Sequence, residues 1–296
     1  MGLGIRELGI GESFANGEFR DSNFYILYSD FYMDRAKAFR SFVRGVAPAA
    51  FGLAVFLFAM VIMGNSGVAS QQPAQPQAPQ TPRAAAPIDL TGYWVSVVTE
   101  DWRWRMLTPP KGDYTSVPLT PEGRKVADTW DPAKAASDGC KAYGAAGIMR
   151  MPGRLNITWE NDTPLKVETD AGRHTRWLRF ASTQKPADSA SWQGHSVASW
   201  ELTGGRGGRG AATARGGSLK VVTTNLRVGY LRKNGVPYSE NAVVTEYFDR
   251  HAAYGTEWFT VTTIVDDPRY LTQTFITSTH FKREPDGAKW SPAPCE

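Results

Sequence analysis

Between residues 153 and 283 the chain is a train of short alternating runs broken by turn residues, and this punctuation restricts it to a β architecture. Leu155, Ile157 and Trp159 alternate with Asn156 and Thr158, the period of two that belongs to strands. Asn161-Asp162-Thr163-Pro164 and Asp170-Ala171-Gly172 turn the chain on either side of a return run carrying Leu165, Val167 and Thr169. Residues 173–180, 192–202, 219–226, 242–250, 257–265 and 270–283 read as further strands, and an earlier one opens at Gly92-Tyr93-Trp94. Asn234-Gly235 is the strongest two-residue hairpin signal, because both residues tolerate positive φ. About eight to ten strands joined mainly by short connections make an antiparallel meander. A sheet of that size must close or fold over to hide its edges, which favours a barrel over a sandwich. Leu119-Thr120-Pro121-Glu122 begins a helix, with Thr120 as N-cap and Pro121 in the first helical position. It runs to about Trp130, and a second short helix follows Asp131-Pro132 as far as Tyr143. The expected fold class is therefore all-β, a single antiparallel meander barrel with a short helical insert, residues 119–143, after its first strand.

Upstream of this domain lies an uncharged apolar run, residues 45–63, preceded by Arg35, Lys37, Arg40 and Arg44 and followed by Val68-Ala69-Ser70. Basic flank, apolar core and small-residue exit make an export signal. The run also approaches the length that spans a bilayer, so an uncleaved anchor, a membrane tether through residues 45–63, is the competing reading. Either one places the domain outside the cytoplasm, periplasmic or extracellular, because the positive flank stays inside. Met33-Asp34-Arg35-Ala36-Lys37 has the form of a signal-peptide start. The domain organisation is then an upstream extension, 1–32; a signal or anchor helix, 33–70; a disordered linker rich in Pro, Gln and Ala, 71–87; and the barrel domain, 88–296. A single β domain of that length is ordinary. Cys140 and Cys295 both follow the signal, and in an oxidising compartment an isolated pair forms a disulfide.

The formal charge is +4. Residues 1–70 hold six basic and six acidic side chains, so the remainder carries 27 against 23, again +4. That mild excess is not the clustered stripe of a nucleic-acid binder. Arg206, Arg209 and Arg215 resemble an RGG tract, but they sit between two strands, and residues 204–217 read as a flexible Gly/Arg loop. No two of His174, His195, His251 and His280 are spaced as metal ligands, no Gly-x-Ser-x-Gly elbow is present, and no phosphate loop occurs, so neither metal nor cofactor is expected. If two strands line one cavity, Glu246 and His280 are the candidates for an acid–base pair.

Aromatic and basic residues are the richest set. Trp102, Arg103, Trp104 and Arg105 crowd together; Arg173, Arg176, Trp177 and Arg179 share one run; Tyr230, Arg232 and Tyr238 surround Asn234-Gly235. Guanidinium groups beside aromatic faces hold anionic or ring-bearing ligands, and they equally cap an all-β core. Trp94, Trp104, Arg176, Trp177, Tyr230, Arg232, Tyr238 and Tyr247 are the candidate ligand contacts. Neither face of residues 258–265 or 271–281 is cleanly apolar, which leaves two readings: threonine on a solvated face, or an interior partly polar because it holds a ligand.

Gly92-Tyr93-Trp94 resembles the Gly-x-Trp signature of lipocalins, calycin-type eight-stranded barrels in which the Trp closes the base beneath a late Arg. That resemblance implies such a part for Arg283. The helical insert departs from the lipocalin pattern, as does the lack of a C-terminal helix. Leu226-Arg227-Val228-Gly229-Tyr230-Leu231-Arg232-Lys233-Asn234-Gly235-Val236-Pro237-Tyr238-Ser239 and Asp267-Pro268-Arg269-Tyr270-Leu271 are similar to segments of exported bacterial proteins with no established activity. The resemblances imply an exported, non-catalytic barrel that holds a small, partly apolar ligand, which can be anionic. The alternatives are a structural or interaction protein of the bacterial envelope, and a barrel enzyme using Glu246 and His280.

Overall fold

The computed structural model describes residues 80–180, 189–203 and 216–295, with residues 135–138 as backbone only. The extension, the leader, most of the linker and nearly all of the Gly/Arg loop lie outside the described residues.

Nine strands close into a barrel: β1 (Gly92–Val97), β2 (Arg154–Trp159), β3 (Leu165–Thr169), β4 (Thr175–Phe180), β5 (His195–Leu202), β6 (Gly217–Thr224), β9 (Val243–Ala253), β10 (Thr256–Asp266) and β11 (Phe275–Arg283). Closure comes through β1, which pairs with β2 on one side and with β11 on the other. The remaining pair, β7 (Gly229–Arg232) and β8 (Val236–Tyr238), is a hairpin standing off the wall between β6 and β9.

The pure antiparallel meander needs correction. β4 and β5 run parallel, with Leu178 opposite Ser196 and Phe180 opposite Ala198. The reason is topological: a ring of nine strands cannot alternate direction all the way round, so one neighbouring pair must run the same way. Asn234-Gly235 does sit in a hairpin, but only Gly235 takes positive φ, at 82°. The hairpin with both central residues at positive φ is Tyr254-Gly255, which joins β9 to β10.

Strand alternation sets the interior. Trp94, Ile157, Leu165, Leu178, Leu219, Phe248, Phe259 and Phe281 point inward and are almost fully buried. They fill the half of the barrel nearer the start of β1, its base. There the Trp94 indole N–H donates to the Leu90 carbonyl at 2.9 Å, its ring meets Phe259 edge-on at 4.7 Å, and the Arg283 guanidinium covers it at 4.9 Å. Residues 80–87, expected as disordered linker, form a turn with Ala85 bonded back to Thr81. The turn is held because the Trp200 indole N–H donates to the Pro82 carbonyl at 2.8 Å.

A lid covers the opposite end. It comprises helix α1 (Trp102–Arg105), helix α2 (Pro121–Ala127), a run of 3-10 turns over Pro132–Tyr143, a single turn at Ile148–Arg150 and the β7–β8 hairpin. Thr120 caps α2 as its side chain accepts from Gly123 N at 3.0 Å, and Pro121 takes the first position. α2 stops at Ala127, short of Trp130, and the second expected helix is wound as 3-10 turns. The lid has its own core of Tyr114, Val117, Leu231, Val236, Tyr238 and Leu271, packed onto Val244, Val265 and Phe275 of the barrel rim. Cys140 and Cys295 form the expected disulfide between the 3-10 run and the C-terminal tail.

Candidate functional site

Midway up the barrel the inner wall changes from aromatic to polar. Glu246 on β9, Thr263 on β10 and Thr277 on β11 face inward in adjacent register. Arg176 reaches across from β4 and grips Glu246 with two parallel bonds, Nη2 to Oε2 at 2.6 Å and Nη1 to Oε1 at 3.1 Å. Both side chains are fully buried. Nη2 also donates to Thr223 Oγ1 at 3.3 Å, and Thr223 and Ser196 share a hydrogen bond at 2.8 Å. Thr279, two residues before Phe281 and on the same face, is buried with its hydroxyl unpartnered.

Above this wall the lid contributes three arginines, each buried. Arg105 ends α1 and is fully engaged. Nη1 pairs with Glu100, Nη2 donates to Ser96 Oγ at 3.0 Å, and Nε donates to the Arg150 carbonyl at 2.9 Å. Arg150 lies in the turn after Gly147, and its Nη2 donates to Asp101 Oδ2 at 3.0 Å while Nη1 has no acceptor. Arg232 comes from the hairpin and is 2% exposed. Its Nη1 donates to the Thr115 carbonyl at 2.7 Å, but Nε and Nη2 have no acceptor.

Aromatic faces frame the cluster. The Arg232 guanidinium lies 4.7 Å from the Trp104 ring centre. Phe275 is flanked by Arg150 at 5.8 Å and by Arg232 at 6.0 Å. Trp104 is fixed by its N–H to Asp113 Oδ2 at 3.2 Å, and Asp113 pairs with Arg103 at 2.8 Å. Asn234 anchors the hairpin tip by donating to the carbonyls of Pro110 and Asp113. Burial, and then the neighbouring Arg150 charge, pull the Arg232 pKa down to about 10. Burial lowers Arg105 as well, against the pull of Glu100. With Arg103 and Asp113 included, four cations here meet three carboxylates, Glu100, Asp101 and Asp113, so the cluster keeps a positive excess.

Of the residues singled out by sequence, Trp104 and Arg232 meet in this cluster. Arg176 lies inside the barrel, and Trp94 lies at its far end. Tyr238 is locked in the lid core; burial pushes its hydroxyl pKa up, and that hydroxyl has no partner. Tyr230 packs against the barrel core under the Lys141 ammonium. Trp177 and Tyr247 alternate with inward neighbours and stand on the outer face. Glu246 and His280 are not brought together: Glu246 points inward to Arg176, whereas His280 points outward, bonded to Thr260 Oγ1 at 2.9 Å. Arg105 belongs to the crowded Trp102–Arg105 run noted in the sequence, though it was not among the candidate contacts; Arg150 and Phe275 were not singled out. The signal for Arg150 was present, a lone charge within Ile148-Met149-Arg150-Met151.

His174 Nε2 lies 3.4 Å from Cys295 Sγ, a proximity hidden by their separation in sequence. The Cys140, His174 and Cys295 atoms lie within 4.8 Å of one another, but the disulfide removes the thiolates that would ligate a metal. No protein-family model, curated protein or solved structure matches this chain.

Proposed function

We propose that this is an exported, non-catalytic binding protein, a lipocalin-like barrel that admits a small, partly apolar ligand at its lid end. The observation that carries the reading is the polar upper wall meeting buried arginines whose donors lack acceptors. A barrel filled only for stability gains more from apolar side chains, since buried ion pairs rarely repay their desolvation. Polar groups converging above an apolar floor are the composition of a small-molecule site. The Trp94–Arg283 stack at the base supports the lipocalin-like assignment. Export is supported by the leader, residues 45–63 with their basic flank, and by the disulfide, which belongs to an oxidising compartment.

Native mass spectrometry of protein purified from its own host tests this. A retained small molecule is expected in one-to-one ratio. A bare mass, with no shift in melting temperature across a library of small acids, lipids and aromatic compounds, would instead favour a filled barrel serving as an envelope interaction protein.

A further inference from the structure

Arg232 presents an unusual edge. In a guanidinium, Nε and the η nitrogen on the same side point two N–H bonds in parallel, and this is the edge that grips carboxylate and phosphate oxygens in pairs. On Arg232 that edge, Nε with Nη2, is buried and has no acceptor, while the opposite nitrogen is tied to the Thr115 carbonyl. Arg150 adds a third buried nitrogen without an acceptor, Nη1. Both guanidinia flank the Phe275 ring. Glu100 pairs with Arg105, Asp101 with Arg150 and Asp113 with Arg103; Asp101 and Asp113 also act on the Arg232 charge, but among the described residues no carboxylate forms an ion pair with Arg232. A buried donor without an acceptor gives up its hydration for nothing in return, and a charged donor gives up most. Three such nitrogens on two adjacent cations make sense when the acceptor arrives from outside.

We infer that Arg232 and Arg150 form an oxyanion subsite, in which the Nε–Nη2 edge of Arg232 takes two oxygens of a carboxylate or phosphate group and Arg150 Nη1 takes a third contact. This rests on the ligand-binding reading above and names the class of ligand. Trp104 and Phe275 orient the two guanidinia and give the body of the ligand an apolar border.

The test compares wild type with R232K and R150Q, each purified from the native host. Lysine keeps the charge and can still reach the Thr115 carbonyl, but it has no edge to present, so R232K separates recognition from folding. Near-ultraviolet circular dichroism checks that the variants are folded. Native mass spectrometry identifies the retained compound. Isothermal titration of protein freed of that compound then uses inorganic phosphate and benzoate as separate probes. A retained acid, or a one-to-one titration by either probe, is expected, with at least tenfold weaker binding in R232K and R150Q. The stronger probe tells phosphate from carboxylate. A retained neutral compound, or a folded R232K that binds within twofold of wild type, overturns the oxyanion subsite and leaves the binding reading standing. No retained compound, no titration by either probe and no response to neutral ligands overturns both.

Discussion

Arg176 and Glu246 face each other inside the barrel with no exposed side-chain area, joined at 2.6 and 3.1 Å. Their attraction is strong because no water screens it, and both charges lost their hydration to get there. Removing one partner strands the other. Glu246→Gln leaves the Arg176 charge buried against a neutral amide and should destabilise the protein by about 3–5 kcal/mol, read from urea unfolding. The double replacement R176M/E246L removes both charges and should fall within about 2 kcal/mol of wild type or exceed it. An E246Q variant as stable as wild type would show that the pair is hydrated in solution.

At the level of single elements, β1 does more than its six residues suggest. It closes the ring, and its first residue, Gly92, takes φ of 109°, where side-chain-bearing residues are strained. A Cβ there would stand 2.7 Å from Arg283 Nη2, the group that covers Trp94. Gly92→Ala should therefore cost about 1–3 kcal/mol and loosen the Trp94 stack. Unfolding followed by tryptophan fluorescence reads both effects, and unchanged stability would show that the turn relaxes. The strands themselves were legible because period-two alternation is local: Leu155-Ile157 and Leu165-Val167 announce which face is inner. Threonine misled that pattern, since Thr263 and Thr277 sit on the inner face while Thr260 and Thr262 sit on the outer. Nothing local marked β4 and β5 as parallel, because direction is set by the parity of the whole ring. The arginine mouth was half legible. Trp104 and Arg232 stood out as aromatic–basic residues, yet their meeting depends on the Asn234 side chain tying the hairpin to the carbonyls of Pro110 and Asp113. That long-range contact leaves no periodicity.

Over the whole molecule, the disulfide is the constraint with the widest reach. Cys140 and Cys295 are 155 residues apart, and every strand from β2 to β11 lies between them. Among the described strands only β1 is outside the loop, and it docks between the two strands that the crosslink brackets, β2 and β11. Closing a loop that long removes much of the unfolded chain's freedom, worth about 5 kcal/mol in the chain-entropy model, with smaller values common in practice. The same crosslink fastens the tail to the 3-10 run beneath which His174 packs on Tyr143. Reduction should then act on the entire barrel, as a single cooperative loss of about 2–5 kcal/mol, and not as local fraying of the tail. The C140S/C295S variant, or wild type in excess thiol, should show a lower urea midpoint with an unchanged or steeper slope, by both fluorescence and far-ultraviolet circular dichroism. The same logic joins stability to address. If the crosslink carries that share, the proposed export to an oxidising compartment gains a physical reason. Protein made without residues 1–70 in a reducing cytoplasm should accumulate less and melt lower than exported protein, and oxidation after purification should restore it. If the reduced barrel unfolds at the same midpoint, the crosslink only fastens the tail and contributes nothing to the case for export.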